Sequence, residues 1–217
     1  MKDIFLIRHG RQCSKLCNVD VELDETGRRQ AELLGRRLAS YGLVKLYSSD
    51  LLRARETAEI INRALAVPYE ILPDIHEINF GCFTGKTNEE IRESYADFQI
   101  ERAKHTADLK YPEGGECGTD VVERAMPQLK KLCERPEARA GGVSHGGVIR
   151  SLCAHVLQTG QKNKLKFGID LENTSLTHLI YDKERDLFFL ERFNDFAHLE
   201  GRPELLRRGW KTSLERC

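Results

Sequence analysis

Arg8-His9-Gly10 follows directly on the apolar run Ile4-Phe5-Leu6-Ile7, close to the first residue of the chain. A buried strand would deliver an anion-binding cation and a potentially nucleophilic imidazole to the carboxyl edge, where open α/β sheets keep their sites. Three further segments carry residues of related chemistry: Ser48-Ser49-Asp50-Leu51-Leu52-Arg53-Ala54-Arg55-Glu56-Thr57-Ala58, Glu77-Ile78-Asn79-Phe80-Gly81 and Ser144-His145-Gly146-Gly147. Taken singly, each has a bland reading. A histidine after a strand is more often structural, a helix arginine is usually solvated, and most glutamates lie on the surface. The ordered conjunction argues for a site: cation, imidazole, acid, and a second imidazole before glycines that permit close backbone approach to an anion.

In this order the segments resemble the histidine phosphatase superfamily, the phosphoglycerate-mutase-like proteins, over roughly Met1 to Leu199. The resemblance implies a ping-pong phosphoryl transfer carried by Arg8, His9, Arg53, Glu77 and His145. Such a transfer needs a nucleophile in line with the leaving oxygen, cations on the equatorial oxygens and an acid for the alkoxide. His9 would attack phosphorus through one ring nitrogen while the other donates to a backbone carbonyl and sets the tautomer. Arg8 and Arg53 would hold phosphate oxygens by forked hydrogen bonds, and His145, protonated once phosphate is bound, would add a third cationic donor. The helix opening at Gly146 would turn backbone N–H groups toward the same anion. Glu77 would be the general acid, which requires it to keep its proton near neutral pH, and then the base for the water that releases phosphate. With arginines and histidines stabilising the charge, no metal and no cofactor is required. The expected partners are a small phosphorylated substrate and inorganic phosphate.

These side chains must be placed by an alternation of strands and helices. Strands are expected at residues 4–7, 44–47, 70–72 and 140–144. Helices are expected at 24–38 behind Asp24, at 51–65, at 119–134 with Val122, Leu129 and Cys133 inward, and at 148–157. Gly42 fits just past the first helix, and Pro127 should kink the third. Residues 175–181 and 187–192 read as a hairpin across Asp182–Asp186. The fold class is therefore α/β and three-layered, with a mostly parallel central sheet, helices on both faces and an antiparallel edge strand. Residues 1–217 read as one domain, with a small polar insertion at about 82–117, including a short helix near 89–95, over the active site. Trp210 is the one large anchor of the basic tail.

Composition excludes several classes. Lys and Arg number 34 against 34 Asp and Glu, so no global field recruits nucleic acid or an anionic membrane. No apolar stretch is long enough to span a bilayer and no secretory pattern opens the chain, so a cytoplasmic protein is expected. Seven cysteines lack the spacing of a zinc site or a disulfide framework and read as reduced thiols. Cys13, Cys17, Cys82 and Cys117 are placed by the family pattern in loops around the pocket, as a redox-sensitive or adventitious metal-binding rim. His76, His105, His155, His178 and His198 belong to no matched motif and read as structural. Gly81-Cys82-Phe83-Thr84-Gly85-Lys86-Thr87 imitates a phosphate-binding P-loop but is one residue short, with Phe80 where the first glycine belongs and no clear strand before it.

The resemblance also suggests a branch. Acid phosphatases and phytases follow the glycine with x-R-x-P and carry a later His-Asp pair, whereas this chain has Gln12, Ser14 and Gly146. Mutases follow it with Glu-Ser and an asparagine, whereas this chain has Arg11, Gln12 and Lys15, a short insertion and no Arg-Tyr-Gly. A mutase must exclude water and a phosphatase must admit it, so the expectation is a metal-independent phosphomonoester hydrolase. The alternatives are a cofactor-dependent phosphoglycerate mutase and a non-catalytic phosphate-binding module. Asn194-Asp195-Phe196-Ala197-His198-Leu199 resembles a segment of small phosphatases of this branch, such as α-ribazole and broad-specificity phosphatases. Cys117 replaces a common pocket-floor serine, and Arg124 matches a bracing arginine. Lys86, Arg102, Lys104 and Lys110 could meet an acidic or doubly phosphorylated substrate, although a solvated face is the commoner reading.

Overall fold

The structure is a computed structural model and describes residues 1–136 and 138–207; Trp210 and Cys217 lie outside the described residues. Strands β1 (Lys2–Arg8), β2 (Lys45–Ser48), β3 (Tyr69–Ile71), β4 (Arg139–Ser144), β5 (Leu176–Asp182) and β6 (Leu187–Asp195) form one sheet in the order β3-β2-β4-β1-β5-β6. The pairings β3–β2, β2–β4 and β4–β1 are parallel, and the β5–β6 hairpin joins β1 antiparallel. The parallel strands β1, β2 and β4 finish together, because Arg8 pairs with Ser144 and Ser48 with Val143. That register sets Arg8-His9, Ser49 and His145 side by side at one edge.

Period-two alternation in β1 feeds two cores. Phe5 and Ile7 pack with Leu34 and Leu38 of helix α1 (Glu25–Leu38) and with Ala54, Ala58 and Ile61 of α2 (Leu52–Leu65). Ile4 and Leu6 belong to the opposite core, with Val121 and Leu129 of α5 (Gly118–Glu134) and Leu152 of α6 (Gly146–Val156). The sheet is therefore covered on both faces, which suits its unbroken apolar strands.

Asp24 caps α1 by accepting the Gly27 N–H at 2.7 Å, a cap worth about 1 kcal/mol. Ala39, not Gly42, closes that helix, and Gly42 turns the chain three residues later with φ +65°. In α5 the inward residues include Val121, with Val122 only partly buried, and the helix continues through Pro127, which has no N–H to offer Glu123. Between β3 and α5 lie two short helices, α3 (Asn88–Ser94) behind a Thr87–Glu90 capping box and α4 (Ala96–Ala103), which the sequence pattern did not show. The segment is less polar than expected: Phe83, Tyr95, Phe98 and Tyr111 pack in tilted and edge-to-face contacts, and Phe83, Ile91 and Tyr111 join the α5–α6 core. Gly81–Phe83 form a 3-10 turn with no strand before it, and Lys86 Nζ turns back to the Cys82 carbonyl (2.6 Å), so the sequence does not build a P-loop.

The loop after β1 rests on α1 backbone to backbone. A Cβ on Gly27 would lie 2.2 Å from the Arg11 carbonyl oxygen, and one on Gly10 would lie 2.7 Å from the Gly27 oxygen. Gly27→Ala is therefore expected to cost about 1–3 kcal/mol by overpacking, seen as a lower Tm in thermal unfolding. An unchanged Tm would show that the loop yields freely.

Candidate active site

His9 leaves β1 with its backbone N–H on the Ser144 carbonyl (3.0 Å) and its carbonyl held by Asn173 Nδ2 (2.9 Å). Its Nδ1 lies 2.7 Å from the Gly10 carbonyl, which can only accept, so the proton of the neutral ring sits on Nδ1 and the lone pair on Nε2. Burial, then Arg53 and Arg8, push its pKa well below the ordinary 6.5. His145, fully buried, caps α6 beside it, with ring centroids 5.0 Å apart. Its Nε2 is 2.6 Å from Ser49 Oγ, while Nδ1 has no hydrogen-bond partner in the protein. Burial, then His9 and Arg53, push this imidazole down as well, so in the phosphate-free protein it is neutral; the cationic form expected above belongs only to an anion-bound state.

Arg53, 2% exposed, enters on the first turn of α2 and donates to the Val19 carbonyl (2.9 Å) and Asn18 Oδ1 (2.8 Å). Asp20, from the same loop, accepts the Leu52 N–H (2.7 Å) and supplies the cap that Leu51 cannot. Arg8 donates to the Leu171 carbonyl, and its Nε has no partner. Burial, then Arg207, lower Arg8 to about 9, with Glu77 opposing and Arg150 adding to the drop. Both arginines thus rest on neutral acceptors and keep their charge for the cleft.

Glu77 Oε1 accepts the Ile78 N–H (2.9 Å) and the Gly147 N–H (3.0 Å). The Gly147 N–H, expected to face an anion, is therefore already taken by Glu77. A Cβ on Gly147 would come within 2.6 Å of Glu77 Oε1, so glycine is required for this contact. Arg124 holds the acid's backbone, donating to the carbonyls of Asp74 (2.6 Å) and Glu77 (3.2 Å) while paired with Glu116. Glu116 in turn accepts the Asn79 N–H (2.8 Å).

Arg8, His9, Arg53 and Glu77 line a cleft of about 850 Å³, together with Gln12, Ser14, Lys15, Asn18, Asn173 and Arg207. Gly146 lines a side chamber of about 220 Å³ that shares Arg8 and Glu77 with the cleft. Cys13 and Cys17 lie on the cleft wall, but Cys82 and Cys117 do not, and burial, then Glu77, push the Cys17 thiol up to about 11. Cys117 is buried at the start of α5, away from the pocket floor, its N–H on Asp120. Among the described residues no group of three or more His, Cys, Asp or Glu is placed to hold a metal ion. No helix among them is long and apolar enough to cross a membrane.

A family model described as the histidine phosphatase superfamily (branch 1) matches residues 4–195. The chain belongs to that superfamily. It is an enzyme of the histidine phosphatase type, a class that spans phosphatases and mutases. It is 28% identical over 216 residues to the metal-independent phosphoserine phosphatase of Arabidopsis thaliana, covering 96% of this chain and 87% of that one. It is 31% identical over 212 residues to phosphoglycerate mutase-like protein 4 of the same plant, covering 91% and 87%. Its fold matches that of mycobacterial glucosyl-3-phosphoglycerate phosphatase solved with inorganic phosphate, with a TM-score of 0.81 at 25% identity, over 91% of this chain and 99% of that one.

Several site residues lie outside every matched motif. Asn173, Arg150 and Arg207 reach the site from later loops and from α6, and only chain folding brings them in. Ser49 stood inside a matched segment, but its partner His145 lies 96 residues away. His198, outside the cleft lining, meets Thr174 Oγ1 at 2.9 Å beneath the Asn173 loop. Burial, then Arg37, lower it to about 4.

His9, His145 and His198 thus share one sign of linkage. Below the ordinary value of 6.5 the unfolded chain takes up protons that these buried rings refuse, so stability rises with pH in this range. Tm is expected to fall as pH drops from 7 toward 4. Added phosphate should reduce the fall, because a bound anion favours the protonated rings. A Tm flat across this window would contradict the histidine environments described here.

Proposed function

We propose that this histidine phosphatase is a metal-independent phosphomonoester hydrolase that works through a phosphohistidine at His9. The carrying observation is the neutral His9 ring, with Nδ1–H fixed on Gly10 and a free lone pair on Nε2, buried among guanidinium groups. Nε2 would attack phosphorus and the P–O ester bond would break. Arg8, Arg53 and the Gly146 end of α6 would hold the equatorial oxygens as charge spreads onto them. With His145 protonated in the anion-bound state, Nε2 would donate to Ser49 Oγ and the unpartnered Nδ1 to a further phosphate oxygen. Glu77 would give its proton to the departing alkoxide. In the second half-reaction it would take a proton from water as that water attacks the phosphohistidine.

The cleft favours water as acceptor. Residues 11–15, where mutases carry a different pattern, line it with Gln12, Ser14 and Lys15 and leave it open to solvent beside exposed Cys13. Residues 82–117 would cover one side of the cleft within a single domain, through Asn88. Asn194–Leu199 supports scaffold more than substrate: Asp195 holds Arg37 (2.6 Å) and Asn194 holds the Glu172 N–H (2.7 Å).

Phosphate release from small phosphomonoesters should persist in EDTA, with acid-labile phosphate trapped on the enzyme. His9→Ala should lose both by at least about a thousandfold. Full activity in His9→Ala would overturn the mechanism. Interconversion of phosphoglycerates with little free phosphate would make the enzyme a mutase.

Glu77→Gln should slow alkyl phosphates by on the order of a hundredfold or more, and aryl phosphates with good leaving groups much less. Equal losses across leaving groups would remove Glu77 as the acid.

A further inference from the structure

The loop that enters β5 grips the His9 backbone from behind. Glu172–Ser175 form a turn closed by the Ser175 N–H on the Glu172 carbonyl (3.2 Å). Its two central residues hold both peptides that flank His9. The Thr174 N–H donates to the Arg8 carbonyl (3.0 Å) and, more weakly, to that of His9 (3.4 Å), while Asn173 Nδ2 donates to the His9 carbonyl (2.9 Å). Thr174 is buried and has φ +56°, at a turn position where glycine or asparagine is usual and a β-branched residue is strained. The Thr174 hydroxyl in turn meets His198. We propose that His198 is a positioning residue for His9, acting through the hydroxyl of Thr174 and the turn that Thr174 shares with Asn173. The inference rests on the reading of His9 as the nucleophile.

The acceptors settle the direction of each hydrogen bond. Thr174 Oγ1 lies 2.7 Å from the Asn173 carbonyl, which can only accept, so its one hydroxyl proton goes there. His198 Nε2, 2.9 Å from the same Oγ1, must then be the donor. Its Nδ1, buried and without a partner among the described residues, is the bare nitrogen of a neutral ring. Donors therefore run from His198 to Thr174 to the carbonyl of Asn173. The Asn173–Thr174 peptide is held at both of its polar atoms, its oxygen by the hydroxyl and its N–H by Arg8 and His9. With that peptide fixed, Thr174 N–H and Asn173 Nδ2 keep their aim on the backbone that carries the His9 ring.

The segment Asn194–Leu199 supplies the rigidity that such a device needs. Leu199 is fully buried with Leu205 and Leu206, against Leu33 of α1 and Phe196. Asp195, paired with Arg37 of α1 (2.6 Å), accepts the Ala197 N–H (3.1 Å) and steadies the 3-10 turn Ala197–Leu199 that carries the His198 ring. Asn194 holds the start of the same loop, its Oδ1 on the Glu172 N–H (2.7 Å) and its Nδ2 on the Asp170 carbonyl (3.2 Å). One short segment thus grips residues 170–174 at both ends, yet neither Asn194 nor His198 lines the cleft. Any effect of His198 on the reaction must pass through Thr174.

The test uses the full chain, para-nitrophenyl phosphate as substrate and inorganic phosphate as competitive inhibitor. Thr174→Gly gives the turn the residue its φ favours, so relief of strain offsets the lost contacts and Tm should move by no more than a few degrees. Its kcat should nevertheless fall by about ten- to a hundredfold, because a misdirected nucleophile leaves the in-line geometry. The phosphate inhibition constant should change by less than about threefold, since Arg53 keeps its partners on Val19 and Asn18. His198→Phe should lose kcat likewise, and the double variant should be no slower than the worse single, because both act through one hydroxyl. Thr174→Ser and His198→Gln, which keep a hydroxyl and an N–H donor, should recover most of the loss. Unchanged kcat in Thr174→Gly, losses that multiply in the double variant, or phosphate binding lost in step with kcat would overturn the positioning role and leave the hydrolase reading intact. If the wild-type protein releases phosphate from no ester, the hydrolase reading falls and the ring-nitrogen NMR resonances of His9 decide. A wide separation between Nδ1–H and bare Nε2 that narrows in Thr174→Gly sustains the positioning role, and an unchanged separation overturns it.

Discussion

The hydrogen bond between His9 Nδ1 and the carbonyl of Gly10 is the constraint on which the rest of the site depends. It assigns the proton of the ring and leaves Nε2 as the only lone pair, and it holds only while the Gly10 peptide keeps its direction. Several elements fix that peptide. Thr57 Oγ1 on α2 accepts the Gly10 N–H at 3.0 Å, α1 presses its Gly27 backbone against the same loop, and Asn173 holds the His9 carbonyl. Both helices on one face of the sheet are thereby tied to the tautomer of one imidazole.

The second constraint is electrostatic. Among the described residues most arginines with ion partners are at least partly exposed, as in Arg28–Glu56 and Arg139–Asp3. Arg53 is instead buried and Arg8 half-buried, both on carbonyl and amide oxygens, acceptors that orient a guanidinium without cancelling it. Burying charge in this way costs folding energy, and it preorganises positive potential where phosphoryl charge would develop. The low imidazole pKa values of His9 and His145 follow from the same arrangement, since a further proton would have to enter a buried, already cationic region.

Glu77 is positioned through its main chain as much as its side chain. The Arg124–Glu116 pair grips the carbonyls of Asp74 and Glu77 and the N–H of Asn79, so α5 sets the height of the acid over the sheet edge. The carboxyl group meanwhile sits at the N-terminus of α6, where it accepts the Gly147 N–H. A loop acid thus acquires the rigidity of two helices.

By itself the sequence determined the strand–helix alternation, the two-sided burial of β1 and the four segments that carry Arg8, His9, Arg53, Glu77 and His145. Hydrophobic period and local motif are properties of neighbouring residues and survive in one dimension. The family resemblance marked Arg124 as a brace, and local spacing was enough to reject the false P-loop. The sequence did not show α4 or the aromatic core of residues 83–111, whose apolar residues are too scattered to give a period and find one another only in three dimensions. The tertiary structure alone decided that Gly147 serves Glu77, that Cys117 lies away from the pocket, and that Ser49 meets His145. It alone brought Asn173, Arg150 and Arg207 to the site and turned Lys86, Lys104 and Lys110 to Cys82, Glu101 and Asp120 instead. Pairings across a hundred residues are set by strand order and register, and a hydrogen bond's partner or a charge's counterion is fixed only when the chain closes.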